Sequence, residues 1–281
     1  MHIRLTTTFL SILAVLGTGN ASAQEDAAKA VRFSLPSPRI TLHEPAVVMF
    51  QAMNLTSTAL QFDLGQDRKQ NFLFALTLPT GERIELPRFR KSGLARIGRI
   101  VLKPGQTYSQ RLLVNQWYDF KDAGLYELEV TLAKPILTQN GATLGKPEPF
   151  RAVLDIEARN EPTLAKACAE ITARIQESAS YEDASEAALE LSYVRDPVAV
   201  PYLERALKAP KLVEPIAITG LESIGNADAV RALGSALQIQ RDNASVLARA
   251  ALQRIAQATS DPEVRQQVAK ILKTNPSEEK Q

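Results

Sequence analysis

The sequence predicts two domains: an all-β sandwich followed by an all-α solenoid of helical repeats. Three observations support this fold class. In the first half of the chain, apolar and polar residues alternate in short runs, which is typical of strands with one buried face. After residue 160 the apolar residues recur about every 3.6 positions, as in amphipathic helices. The second half also repeats its own pattern at a fixed interval, which indicates stacked structural repeats.

The first 23 residues have the composition of a secretory signal peptide. A basic start at Arg4 precedes an apolar run over residues 9–16, and the small residues Ala21 and Ala23 fit a signal peptidase site. The apolar run is too short to cross about 30 Å of hydrocarbon. We therefore expect cleavage after Ala23, a mature chain without a stable membrane span, and a periplasmic or secreted location.

Residues 31–157 are predicted to form the sandwich. The clearest strand covers residues 126–132, where apolar side chains alternate strictly with Glu and Thr. Residues 72–78 form a second apolar run, and the Pro-Thr-Gly sequence at residues 79–81 predicts a turn before a returning strand. About seven to nine short strands separated by turns are typical of a sandwich.

A short motif in this half resembles the D-x-G-x-Y corner of immunoglobulin-like domains. It consists of Asp122, Gly124 and Tyr126 with one residue between each pair. The resemblance implies an Ig-like sandwich in which the hydroxyl of Tyr126 bonds to nearby backbone. Leu128 occupies the position of the family's cysteine, so the resemblance implies no disulfide between the sheets.

Residues 163–273 are predicted to form helical repeats. Leucine and other apolar positions recur 30 residues apart, and a third copy follows with a longer turn. The matched pairs are Leu191 and Leu221, Val194 and Ile224, Val200 and Val230, and Leu203 and Leu233. This pattern resembles short HEAT repeats, which implies a right-handed helical solenoid whose units bury their leucines against each other. Residues 274–281 are expected to form a disordered polar tail.

Helix starts within the repeats are marked by capping residues. Asp196 and Asp261 each precede a proline, and Asn226 holds the equivalent position in the middle repeat. A cap of this kind accepts a hydrogen bond from an otherwise unpaired backbone amide and contributes roughly 1 kcal/mol.

Composition argues against several kinds of chemistry. After loss of the signal peptide, the chain keeps His43 as its only histidine and Cys168 as its only cysteine, too few ligands for the usual zinc sites. Glycine-rich phosphate loops and calcium loops are absent from the sequence. The mature chain has a net charge of only +1, whereas nucleic-acid binders are strongly basic. We predict no catalytic set, no metal, no cofactor and no nucleic-acid partner, with Cys168 buried.

One candidate binding segment is basic. It contains five cations and no acid within residues 87–99, with one aromatic residue between them. The cations are Arg88, Arg90, Lys91, Arg96 and Arg99. Such a segment can bind a polyanion, an anionic lipid head group or an acidic protein face. The alternative is a solvated loop between strands.

A second candidate is aromatic. Trp117 and Tyr118 are followed closely by Phe120, so that three aromatic residues lie within four positions. The cluster is either an exposed binding anchor formed by Trp117 and Tyr118 or a packed support beneath the neighbouring corner.

The combined features favour a non-enzymatic, exported scaffold protein that binds another protein through its helical array. The candidate residues on the second helices of the array are Tyr202, Glu204, Arg205, Lys208, Arg231 and Gln238. One alternative is a secreted Ig-like inhibitor or ligand-binding module, because the strand pattern is loosely similar to bacterial Ig-like proteinase inhibitors. Another is a hydrolase that uses a pair of carboxylates.

Overall fold

The computed structural model describes residues 29–90, 98–209, 213–239 and 243–275. A β-rich region (residues 31–157) is followed by a helical region (residues 161–274), in the predicted order. Each region has its own hydrophobic core. The predicted signal peptide and residues 276–281 of the predicted tail lie outside the described residues.

The described part of the β-rich region contains twelve strands in three sheets. Their bounds are β1 (Val31–Ser34), β2 (Arg39–Thr41), β3 (Val47–Met53), β4 (Leu60–Asp63), β5 (Phe72–Thr77), β6 (Arg83–Glu85), β7 (Arg99–Leu102), β8 (Thr107–Leu113), β9 (Gly124–Leu132), β10 (Ile136–Thr138), β11 (Thr143–Gly145) and β12 (Phe150–Glu157). The strand orders are β1-β3-β8, β11-β10-β4-β7 and β2-β12-β9-β5-β6.

This topology corrects the predicted fold class. The predicted Ig-like sandwich is wrong, because the strands form three sheets, and the largest is mixed: β2 runs parallel to β12, whereas the other pairs in that sheet are antiparallel. Alternating hydrophobicity identified buried strand faces, but it carries no information about which strands pair. The Ig-like sandwich followed by a HEAT-like solenoid is therefore replaced by a three-sheet β-rich region followed by a helical region.

The local pattern of the longest strand agrees with its sequence. Along β9, the side chains of Tyr126, Leu128 and Val130 are buried, while the intervening residues face outward. The hydroxyl of Tyr126 donates a hydrogen bond to the carbonyl oxygen of Asp122 at 2.9 Å. The bond predicted for this corner is therefore present, although the sheets around it do not form an Ig-like sandwich.

The described part of the helical region contains seven α-helices. Their bounds are α1 (Glu161–Glu177), α2 (Tyr181–Ser192), α3 (Val200–Leu207), α4 (Glu214–Ile224), α5 (Ala227–Ala236), α6 (Ala244–Ala258) and α7 (Pro262–Thr274). Helices two apart in sequence contact each other, so α2, α4 and α6 form one layer and α3, α5 and α7 form another. The repeated leucines lie between these layers and are buried by neighbouring helices.

Capping side chains begin several helical segments. The side chain of Asp196 accepts from the amide of Val198 at 3.0 Å, and that of Asn226 accepts from the amide of Ala229 at 2.8 Å. Close packing depends on a glycine, because a Cβ atom at Gly220 would lie within 3 Å of both α2 and α3. None of the described helices is long and apolar enough to span a membrane.

Candidate functional site

The basic segment follows β6 and is anchored by an aromatic side chain. Phe89 is half-buried, and its ring centroid lies 5.5 Å from that of Trp117. The ammonium of Lys69 lies over the same Phe89 ring, 5.6 Å from its centroid. Arg88 and Arg90, on either side of Phe89, are exposed and form no ion pair with any described residue. The segment therefore presents two exposed guanidinium groups, neither paired with a described residue, on either side of the packed ring of Phe89.

The other predicted cations have different surroundings. Lys91 and Arg96 lie outside the described residues. Arg99 is exposed at the start of β7 and pairs in register with Asp63 on β4. The pKa of Asp63 is lowered, chiefly by a hydrogen bond from Lys134 and to a smaller extent by the nearby charge of Arg99. Arg99 therefore faces an acidic neighbour, whereas no described acidic residue forms an ion pair with Arg88 or Arg90.

The backbone near the basic segment is strained. Gly65, Asp67 and Arg68 all have positive φ values, of 70°, 54° and 58°. For a long side chain such as Arg68 this conformation is unusual, and it stores of order 1–3 kcal/mol. Gly98 is needed at the close approach, because a Cβ atom there would lie 2.0 Å from the carbonyl oxygen of Gly65. Strain of this kind concentrates at functional sites, which favours this end of the β-rich region as a binding surface.

The aromatic cluster is a packed support and not a surface anchor. Trp117 is only 7% exposed, and its ring centroid lies 4.7 Å from that of Phe74 in the core. Tyr118 is half-buried and packs edge-on against Phe120 at 5.1 Å. Of the two alternatives for Trp117 and Tyr118, the burial of Trp117 favours the packed support over the exposed binding anchor, because apolar burial draws the rings under the corner.

A buried carboxylate joins the two regions. Glu190 of α2 has a side chain only 4% exposed, and it lies between Arg111 of β8 and Arg174 of α1. Arg111 donates from Nε at 2.5 Å and Nη2 at 3.1 Å, and Arg174 donates from Nη1 at 2.7 Å and Nη2 at 3.2 Å. Both carboxylate oxygens therefore accept from both arginines, and β8 is fixed against α1 and α2.

A second ion pair lies where the regions connect. Arg159 donates to Asp196 from Nε at 2.6 Å and from Nη2 at 3.0 Å, and these bonds lower the pKa of the Asp196 carboxyl. Nearby, the hydroxyl of Thr41 donates to Ala158 at 2.9 Å and accepts from the amide of Asn160 at 2.8 Å. We refer to the contacts of Glu190 and Asp196 with their arginines as the junction ion pairs.

The sequence marked Asp196 only as a helix cap, and it gave no indication that Glu190 contacts Arg111. Arg111 and Glu190 are 79 residues apart, and no local pattern connects them. One signal was present: Glu190 lies three residues after Ala187 and four before Val194, on the apolar face of its helix. A carboxylate on a buried face needs a cationic partner, which predicts the type of contact but not its identity.

A cavity of about 150 Å³ lies beside the junction ion pairs, between the β-rich region and α1. Its charged lining residues are Glu44, Arg111, Glu170, Arg174 and Glu190. The pKa of Glu44 is raised, mainly by burial, with a smaller contribution from the like charge of Glu170. One carboxylate oxygen of Glu44 accepts from the amide of Thr41 at 3.0 Å. No cluster of three or more metal-ligating side chains occurs among the described residues.

The histidine and the cysteine that are distant in sequence lie near the same carboxylate. After Arg159 and the other larger causes, His43 contributes to lowering the pKa of Asp196. Asp196 contributes, after burial, to raising the pKa of Cys168. Cys168 is fully buried, and burial is the main cause that raises its pKa to about 12. Because burial holds the pKa of Cys168 far above neutral, this thiol stays protonated at neutral pH.

The candidate residues on the helical array mostly contact near neighbours. The guanidinium of Arg205 lies 5.4 Å from the ring centroid of Tyr202, and Lys208 pairs with Glu204 at 3.0 Å. Arg231 pairs with Asp228, and Gln238 donates to Asn275. Arg205, Lys208, Arg231 and Gln238 are exposed. They lie on α3 and α5 or directly after them, and α3 and α5 contact each other.

Comparison with known proteins gives no family. No family model matches the chain, and no curated protein matches it. Among solved structures, the structural-genomics target SoR45 is 14% identical, with a TM-score of 0.28, over 45% of this chain and 87% of its own. A β-glucosidase from Listeria innocua is 13% identical, with a TM-score of 0.24, over 46% of this chain and 16% of its own. Likenesses this weak carry no argument about fold or function.

Proposed function

We propose that this chain is a non-enzymatic, exported interaction protein that holds another protein against its helical region. The observation that carries the proposal is the layered arrangement of the helices. Each helix contacts the next helix of its own layer, so α3, α5 and α7 present their outer sides as one extended surface. Surfaces built in this way are suited to binding polypeptides along their length.

The junction ion pairs support the same function. The partly buried, charge-assisted bonds from Arg111 to Glu190 hold β8 against α2, and those from Arg159 to Asp196 hold the segment after β12 close to the start of α3. A partner bound to the helices is therefore held at a constant position relative to the β-rich region. Fixed placement lowers the ordering entropy that a flexible two-part binder loses when it forms a complex.

Site-specific photocrosslinking tests the proposal directly. The full chain carries a photoreactive amino acid at one exposed helical position at a time, replacing Arg205, Arg231 or Lys270, in cells of the source organism. Control positions are Arg32 and Asn140, which are exposed in the β-rich region. We expect one protein to crosslink from the helical positions in stoichiometric amounts. Crosslinking that is absent, or equally frequent from the control positions, would contradict the proposal.

The hydrolase alternative has one observation in its favour. Glu44 and Glu170 both line the cavity beside the junction ion pairs, and the pKa of Glu44 is raised. Carboxyl pairs of this kind occur in hydrolytic sites. This alternative predicts turnover of a substrate that Glu44→Gln abolishes. The interaction proposal predicts instead that Glu44→Gln leaves partner crosslinking unchanged.

A further inference from the structure

We infer that the partner carries an acidic segment, which lies across a basic surface formed by Arg88 and Arg90. The inference rests on the proposed function, because it specifies the chemistry of the protein that is held. In this inference the β-rich region forms part of the surface that contacts the partner protein. Four observations support it: the anchoring of the two arginines, their lack of an ion pair with any described residue, their nearness to the helical region, and the inward placement of the neighbouring rings.

The two arginines are held side by side. Exposure alternates along the segment, with Arg88 and Arg90 outward and Phe89 inward against Trp117. In an extended chain, residues two apart point to the same side and lie about 7 Å apart. Carboxylates at alternate positions of an extended partner segment have the same spacing, so each can meet one guanidinium.

Neither Arg88 nor Arg90 forms an ion pair with a described residue. Between Glu85 and Asp119 the sequence contains seven arginines and lysines and no acidic residue. Residues 29–160 together contain 18 basic and 12 acidic residues, whereas residues 161–275 contain 13 basic and 15 acidic residues. The basic excess is therefore confined to the β-rich region. A carboxylate is a suitable partner for its arginines, because a planar guanidinium pairs with a carboxylate through two parallel hydrogen bonds.

The basic surface continues toward the helical region through a series of contacts. Lys69, which lies over Phe89, donates a hydrogen bond to the side chain of Gln116 at 3.0 Å. Tyr193, which directly follows α2, lies beside Gln116, whose side chain partly offsets the rise that burial causes in the pKa of the Tyr193 hydroxyl. One partner can therefore contact the basic surface and the helices together.

An acidic polypeptide fits this surface better than a membrane does. The aromatic rings beside the arginines, those of Phe89 and Trp117, pack into the core. Membrane-surface segments usually place such rings outward, so that they enter the boundary between head groups and acyl chains. The described part of the segment offers charge without an exposed aromatic or large aliphatic side chain, which favours binding of carboxylates.

Binding of poly-L-glutamate by the full chain is the first test. We expect the double variant Arg88→Glu, Arg90→Glu to bind this probe at least about tenfold more weakly than the wild type, because attraction becomes repulsion at two adjacent positions. Wild-type binding should weaken as salt is added. The matched control is Arg32→Glu with Lys146→Glu, which changes the net charge equally at two exposed, unpaired sites among the described residues. This control should bind within about twofold of the wild type.

The second arm repeats the photocrosslinking with both double variants and adds phosphatidylglycerol vesicles. A partner captured by the wild type and the control but lost from the Arg88, Arg90 variant supports the inference. A partner captured equally by all three chains overturns it while the proposed function stands. If the wild type captures no partner, the proposed function fails, and the probe still decides the basic surface. Vesicle binding that depends on the two arginines, without poly-L-glutamate binding, replaces the acidic polypeptide with a membrane and overturns the inference. Unchanged melting temperatures show that the variants fold.

Discussion

Replacement of Glu190 by glutamine tests whether the junction ion pairs hold the two regions together. The change keeps the size of the side chain and removes its charge, leaving Arg111 and Arg174 facing each other without a carboxylate between them. Removal of one partner from a buried ion pair typically costs 3–5 kcal/mol, as a rough guide. The two arginine side chains are 32% and 39% exposed, so they can turn partly toward water. We therefore expect a loss of about 2–3 kcal/mol in the free energy of unfolding.

Urea denaturation gives the measurement, with two signals that report on different regions. Trp117 is the only tryptophan and lies in the β-rich core, and circular dichroism at the helical minimum reports on the helices. We expect the two transitions to coincide in the wild type and to separate in Glu190→Gln. The control is Glu177→Gln on α1, where the side chain is exposed, and it should change the free energy by at most about 0.5 kcal/mol. Equal effects of the two substitutions would refute the role of Glu190.

Four further predictions concern single side chains. The hydrogen bonds from Arg159 lower the pKa of Asp196. The ionised carboxyl therefore stabilises the fold above its ordinary pKa of 3.8, and this stabilisation is lost as the pH falls through the lowered pKa. Asp196→Asn should weaken the pH dependence of the melting temperature below about pH 4. Burial raises the pKa of Glu44, which reverses the sign: stability falls as pH rises through that pKa, and Glu44→Gln should raise the melting temperature at pH 7 but not at pH 4. Native Cys168 should react with a thiol reagent only after unfolding, and rapid labelling would contradict its burial. The fluorescence emission of Trp117 should be blue-shifted and resistant to iodide quenching, because its ring is buried.

The sequence predicted local structure well where one residue pattern determines it. Strict alternation over β9 identified the buried side chains of Tyr126 and Val130, since a strand points successive side chains to opposite faces. Asp196 and Asn226 were recognised as caps because an orphan amide at a helix start needs a nearby acceptor. Both features depend on residues close together in the chain.

Strand pairing and the junction were beyond the sequence because they depend on distant residues. Alternation identifies buried strand faces such as that of β9, but nothing local indicates that β2 pairs in parallel with β12. The contact of Arg111 with Glu190 depends on how the two regions pack. The exposure of Arg88 and Arg90 fits both a binding segment and a solvated loop. The burial of Trp117, in contrast, decides between the two interpretations of the aromatic cluster.

Hydrogen–deuterium exchange on the full chain, with and without its crosslinked partner, tests the central claim that one partner contacts both regions. We predict slower amide exchange on complex formation in two separate places: the segment around Arg88 and Arg90, and the turns and helix ends beside Arg205 and Arg231. Protection confined to one of these places, or absent from both, would contradict the claim.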